Sequence, residues 1–326
     1  NPRKVPKWKA RTTMMPSIYA HKSGLRHDTG PGHPESPDRL QTLLDLFAEE
    51  KWPVITAQEA ELDWIARCHS MAYIDALQDA MPDRGLVGLD GDTIVSPGTW
   101  DAAIHAAGAV CRAVGDVAAG RTQRAFCAVR PPGHHAEPSR AMGFCLFNNV
   151  FVGALHAQSL GLKKIAIVDF DVHHGNGSDA MARLHDDVFY VSSHQWPLYP
   201  GTGGPDDQVP GRVLNIPLPA GTGSSEFRAA YANQALPALH DFGPDLMMIS
   251  AGFDAHRDDP LAQMNLTEDD FAWAAKELCA IQTRVVSVLE GGYNLPALKA
   301  GVKAYIIGLS GDISSSDRGS AALTGN

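Results

Sequence analysis

The chain has 326 residues, 44% of them hydrophobic and 20% charged, with a formal net charge of −10. This composition is too apolar for a disordered chain and long enough for an α/β domain, while the acidic balance and the lack of Lys/Arg clusters argue against a direct nucleic-acid partner. Its five cysteines, Cys68, Cys111, Cys127, Cys145 and Cys279, are scattered and odd in number with no CxxC pair, which speaks against a disulfide framework or a zinc ribbon and for a reducing compartment.

Residues 1 to about 16 carry positive charge with no apolar run behind them, so they lack the middle region of a secretory signal and read as an arm, mobile or docked in a homo-oligomer. No apolar run is long enough to span a bilayer, and the cytoplasm is the expected location. The first helix start is Ser36, ahead of PDRLQTLLDLFAEE, and the next is Thr99, ahead of WDAAIHAAGAVCRAVGDVAA. Then come near-continuous apolar runs that read as strands covered on both faces: RAFCAVR (124–130), KKIAIVDFDV (163–172), VFYVSSH (188–194) and DLMMISAGFD (245–254). Thr267 opens another helix with acid in its first turn, TRVVSVLEGGY (283–293) is a further strand, and a Ser/Gly-rich tail occupies 311–326. Strands alternating with helices imply a parallel sheet, and with no repeat or linker the simplest organisation is one domain over 17–310.

In such sheets ligands bind outside the carboxyl ends of the strands, and four of these strands end in unusual polar sequence: RPPGHHAEP, DFDVHHGNG, SAGFDAH and LEGGYN. Alternation along an extended strand points Asp169, Asp171 and His173 one way, and Asp254 offers a further carboxylate. Two carboxylates with one imidazole suit a zinc ion that keeps an open position, as catalytic sites do. Taken singly, each of these residues is more often a capping aspartate or a satisfied core histidine; together they point to a metal. His134 and His135 follow a PPG turn, and adjacent imidazoles do not readily both carry charge: a ring backed by a carboxylate is favoured as the cation and one backed by a neutral group stays a base. Tyr293, after two glycines, presents a phenol that suits an oxyanion. PGTGG (200–204) lacks the Lys-Ser/Thr and helix of a P-loop and reads as a turn.

Together RPPGHHAEPSRAMGFCLFNN, IVDFDVHHGNG, YPGTG, SAGFDAHRDDPL and LEGGYN resemble the histone deacetylase and acetylpolyamine amidohydrolase family, in order and from about residue 21 to 294. The resemblance implies a single arginase-like α/β domain with a central parallel sheet of about eight strands flanked by helices, and zinc-dependent amide hydrolysis. On matching positions Asp171, His173 and Asp254 would hold Zn²⁺, His134 and His135 would be the tandem histidines backed by Asp169 and Asn176, and Tyr293 would face the carbonyl in the transition state. Asn176, where some relatives have Asp, and HPESPDR resemble the class II branch. A potassium ion is implied at the carbonyls of Asp169, Asp171, His173 and Ser193 with side-chain oxygens of Asp169 and Ser192. Gly143, Phe144, Tyr199 and Leu261 would line the substrate channel, with Asp92 and Gly292 as further substrate contacts. Leu261 stands where the polyamine-selective eukaryotic branch has a glutamate, so the expected substrate is an acylated lysine in a peptide or protein, the alternative an acetylpolyamine or other small acylated amine. A two-manganese ureohydrolase and a non-catalytic acyl-lysine binding module are the rival classes; the first lacks its extra bridging carboxylates here, and every position the second would leave empty is filled.

Overall fold

A computed structural model of the chain describes residues 15–311, and the arm and tail read at its two ends lie essentially outside the described residues. The strands in chain order are β1 (Ser17–Ala20), β2 (Val54–Thr56), β3 (Val87–Gly88), β4 (Ile94–Val95), β5 (Arg124–Ala128), β6 (Ile165–Asp169), β7 (Val188–Gln195), β8 (Val213–Leu218), β9 (Leu246–Ala251) and β10 (Val285–Leu289). Eight of them form one sheet in the order β2-β1-β5-β10-β9-β6-β7-β8, every pairing parallel, while β3 and β4 pair as a short antiparallel hairpin. Strands β5, β6, β7, β9 and β10 are the five apolar runs of the sequence. The runs did not mark β1, β2 and β8: β1 is only four residues long, all three residues of the edge strand β2 are exposed, and β8 at the other edge is interrupted by Asn215 and Pro217.

Both faces of the sheet are buried, which explains why its inner strands are apolar throughout. On one face Ile165, Ile167, Val188 and Val286 pack with Val110, Val114, Phe151 and Leu155 from the helices Thr99–Ala118 and Asn149–Ser159. On the other, Ala166, Val168 and Ile249 meet Leu43 and Phe47 of Pro37–Glu49, Phe271 of Glu268–Ile281 and Val302 and Tyr305 of Leu295–Leu309. Ser36 is the cap residue of its helix, with Pro37 in the first turn, although its side chain makes no capping bond. Thr267 closes a capping box with Asp270. Thr99 is shifted by one from its expected place: it is the first helical residue, and its hydroxyl accepts the Ser96 amide at 2.8 Å instead of capping.

The topology matters most at the sheet's centre. Strands β5, β10, β9 and β6 are consecutive neighbours, so the loops leaving their carboxyl ends lie side by side. These are the four polar strand ends of the sequence.

Candidate active site

The regular strand β6 stops at Asp169, and after Phe170 the chain bends through residues 171–173. The alternation survives that break, because Phe170 and Val172 still turn into the apolar core while Asp171 and His173 turn away from it. Asp254, from the loop after β9, completes a buried group whose ligand atoms lie within 4.8 Å of one another. His173 Nδ1 stands 3.2 Å from Asp171 Oδ1 and 3.1 Å from Asp254 Oδ2. Ligand atoms ~2.0 Å from a tetrahedral ion are about 3.3 Å apart, so this donor set fits zinc in spacing and in type. The remaining oxygens are tied down: Asp171 Oδ2 accepts the Gly291 amide at 2.8 Å and Asp254 Oδ1 the Val172 amide at 2.9 Å. Two glycines form the cradle. A Cβ on Gly291 would lie 2.0 Å from Asp254 Oδ2, and one on Gly252 2.2 Å from Asp171 Oδ2.

The electrostatics of this group are those of a cation site. Burial, then the charge of Asp171, pushes Asp254 up to about 7. Burial also opposes charge on His173, but its bonds to Asp171 and Asp254 outweigh that and hold the ring up at about 10. Two buried carboxylates thus gather positive charge around one ring, the role a divalent ion fills. The other His/carboxylate group among the described residues, Glu59, Asp101 and His105, is partly exposed and its Asp101 is already paired with Arg26.

Beside the carboxylates stand the two histidines, ring centroids 4.0 Å apart. His134 Nδ1 lies 3.0 Å from Asp169 Oδ2, and His135 Nδ1 lies 2.9 Å from Asn176 Oδ1. Burial lowers both rings, but Asp171 and Asp169 carry His134 well above the usual imidazole value, whereas His134 and His173 drive His135 further down, well below it. One ring is therefore a cation and its neighbour a neutral base. The tautomer of His135 is set one residue further out. Asn176 Nδ2 donates to Glu137 Oε1 at 2.8 Å, so the amide must present its oxygen to His135, which then carries its proton on Nδ1 and keeps a lone pair on Nε2.

Several supporting residues carried no signal that periodicity or motif could separate from core or turn. Glu290 Oε2 accepts the amides of Gly133 and His134 at 2.7 and 3.1 Å, fixing the backbone beneath the histidines, and its burial pushes it up to about 7. It ends an apolar strand, and a buried acid in that place was the available clue. Tyr190 donates to the same Asp169 oxygen that His134 contacts, at 2.8 Å, yet in sequence it is one more apolar residue of a strand. Arg39 sits over the Tyr293 ring at 5.0 Å and donates from Nε to the Gly292 carbonyl at 2.7 Å.

A cavity of about 250 Å³ leads to these groups, lined by Asp92, His135, Gly143, Phe144, His173, Leu198, Tyr199, Leu261 and Tyr293. It holds all the expected channel residues and adds Leu198. Gly292 is not among them: its carbonyl faces Arg39, and with φ +119° it shapes the turn that presents Tyr293. Phe144 meets Tyr293 edge-on with centroids 5.9 Å apart, and Tyr199 meets His135 likewise at 5.2 Å. Gly143 has φ +56°, and a Cβ there would lie 2.4 Å from the His135 ring, so glycine is required on both counts. Burial and the neighbouring Asp90 raise Asp92 above the usual carboxylate range. Ser192 lies opposite Asp169 in the β6–β7 register with its hydroxyl 2.9 Å from His194 Nδ1, and Ser193 Oγ is 3.1 Å from the Tyr231 hydroxyl. The PGTGG segment starts in a turn, the Gly201 N–H donating to the Leu198 carbonyl at 2.9 Å, and then runs on irregularly, its Thr202 hydroxyl 2.8 Å from His174 Nδ1.

Known proteins share this chain's sequence and fold. The histone deacetylase domain family matches residues 33–309. An uncharacterized Synechocystis protein is 42% identical over 298 residues, 89% of this chain and 97% of its own length. A probable deacetylase of Archaeoglobus fulgidus is 34% identical over 314 residues, 90% of this chain and 87% of its own, and a histone deacetylase-like amidohydrolase of Pseudomonas aeruginosa is 37% identical over 278 residues, 81% and 73%. The crystal structure of the HDA15 HD domain superposes with a TM-score of 0.86 at 34% identity over 91% of each chain. With an eight-stranded parallel sheet, polar strand ends gathered at its centre and matches along nearly its whole described length, the chain belongs to the histone deacetylase family of amidohydrolases.

Proposed function

We propose that the chain is a zinc-dependent deacylase that removes acetyl or related short acyl groups from the ε-amine of lysine in peptides or proteins. The observation that carries this reading is the slot itself: an apolar channel walled by Phe144, Leu198, Tyr199 and Leu261 that ends on a neutral histidine, a phenol and a zinc-fitting ligand set. An apolar slot of this size suits an uncharged acyl-lysine stem. Zn²⁺ held by Asp171, His173 and Asp254 would supply Lewis acidity, lowering the pKa of water towards ~7 and taking up developing charge. The chain's own groups account for the rest. Tyr293, whose phenol burial keeps protonated well past neutrality, donates to the acyl carbonyl oxygen. His135 accepts a proton from the attacking water at Nε2, with Nδ1 held by Asn176, and passes that proton to the leaving amine. His134, paired with Asp169, stays charged and offsets the negative charge of the transition state.

A potassium ion at Asp169 and Ser192, with the carbonyls of Asp171, His173 and Ser193, belongs to the same reading and is supported by the pairing of Asp169 on β6 with Ser192 on β7. The free state of all five cysteines supports a reducing location, and we propose the cytoplasm. A second reading, a small acylated amine such as an acetylpolyamine, is favoured by Asp92 at the slot with Asp90 beside it, since paired acids attract a cationic substrate. Turnover of acetyl-, trifluoroacetyl- and longer acyl-lysine peptides against acetylated putrescine and spermidine decides between them. Higher kcat/KM on the peptides supports the first reading, higher kcat/KM on the polyamines the second, and no turnover of either removes both. Metal analysis finding two manganese ions per chain in place of one zinc would also remove both.

A further inference from the structure

Asp259 is 7% exposed and lies in the loop between Asp254 and Leu261. Its Oδ2 accepts the backbone N–H of Tyr293 at 2.8 Å, and its Oδ1 accepts the backbone N–H of Leu261 at 3.0 Å. One buried group thus ties the residue bearing the phenol to a residue walling the slot. The tie has something to restrain, because Tyr293 follows Gly291 and Gly292, a turn with no side chains of its own and with Gly292 at φ +119°.

We propose that Asp259 is a positioning residue for deacylation, holding the Tyr293 phenol in register with the Leu261 wall so that an acyl chain seated against that wall brings its carbonyl oxygen to the phenol. The inference rests on the reading of Tyr293 as the carbonyl donor. Asp259 itself lines no part of the slot and acts through the two amides it holds. An asparagine in its place has one acceptor oxygen and an NH₂ that must face an N–H, so one of the two amides loses its partner. A displacement of ~1 Å at a reacting group costs up to ~100-fold in rate.

The test is a four-way comparison of the full-length, zinc-loaded chain on an acetyl-lysine peptide: wild type, Asp259→Asn, Tyr293→Phe and the double variant, with enzyme raised to keep the slow variants measurable. Asp259→Asn is expected to lower kcat by ~10- to 100-fold with KM changed less than about threefold, and to cause no further loss once the phenol hydroxyl is gone. A wild-type kcat in Asp259→Asn overturns the proposal, and so does a loss that multiplies in full on the Tyr293→Phe background, since that marks general support of the fold. If the asparagine variant does not fold, Asp259→Glu serves in the same comparison, because it keeps the charge and both acceptors but moves them by one methylene. A wild-type chain inert towards every acylated amine overturns the proposed function and this inference together; an active wild type with independent losses overturns this inference alone.

Discussion

Gly291→Ala tests the metal site without touching a ligand. The backbone at Gly291 is not in the left-handed region, so alanine is conformationally acceptable there. The added methyl is not acceptable in space: it would lie 2.0 Å from Asp254 Oδ2 and 2.6 Å from Asp171 Oδ2, where ordinary contact begins near 3.4 Å. To make room Asp254 must retreat by more than an ångström, several times the tolerance of about 0.2 Å on metal–ligand distances. Neither carboxylate can swing away freely, because Asp254 Oδ1 holds the Val172 amide and Asp171 Oδ2 holds the amide of Gly291 itself. Losing a group that merely supports a ligand costs ~10- to 100-fold in metal affinity, so displacing a ligand should cost at least ~100-fold, about 2.7 kcal/mol. The assay is zinc affinity by competition with a chromophoric chelator, alongside kcat/KM at fixed free zinc. Wild-type zinc affinity in a folded Gly291→Ala chain would refute the placement of the ion between these carboxylates.

Tyr293→Phe should lower kcat by ~100- to 1,000-fold, as loss of an oxyanion donor does, while zinc content by elemental analysis stays at the wild-type level; near-normal turnover would remove the phenol from the mechanism. Because His135 must be neutral to accept a proton and its pKa is depressed, by burial first and then by His134 and His173, kcat/KM should rise as pH increases through a limb below the ordinary imidazole value of ~6.5 and then level off. An acid limb at or above that value in the pH–rate profile would contradict the assignment. Removing metal with a chelator should abolish turnover and lower the melting temperature, with both restored by zinc; free zinc at ~1,000 times its Kd adds about 4 kcal/mol to the folded state. Thermal melts that do not respond to zinc would count against a folded-state metal site.

Much of this molecule can be read from one dimension. The continuous apolar runs of β5, β6, β7, β9 and β10 announce strands buried on both faces, because only such strands need no polar side. Asp171 and His173, two apart, keep a common direction even where the strand has ended and the chain bends, because the alternate residues Phe170 and Val172 are held in the apolar core. The motifs likewise point to the residues proposed as metal ligands, the histidine pair and Tyr293, which the structure brings together around one cavity. Of what supports them, Asp169 and Asn176 were readable through the resemblance, while the outer groups were not. Glu290, Glu137, Tyr190 and Asp259 look like a strand end, a loop acid, a core residue and a turn acid, and each acquires its meaning only from a partner 21 to 157 positions away.

The sequence by itself determined that polar, ligand-type residues stand at the carboxyl ends of buried parallel strands, because local hydrophobicity and spacing dictate where strands run and stop. Only the tertiary structure decided that four of those ends are neighbours: β9 and β10, the last strands in the chain, lie between β5 and β6, which precede them in sequence. Hydrophobic periodicity says which face of a strand is buried but nothing about which strand lies next to it. The order comes from how helix-covered strands pack into one twisted sheet, and that order is what sets Asp254 and Tyr293 beside the histidines and His173.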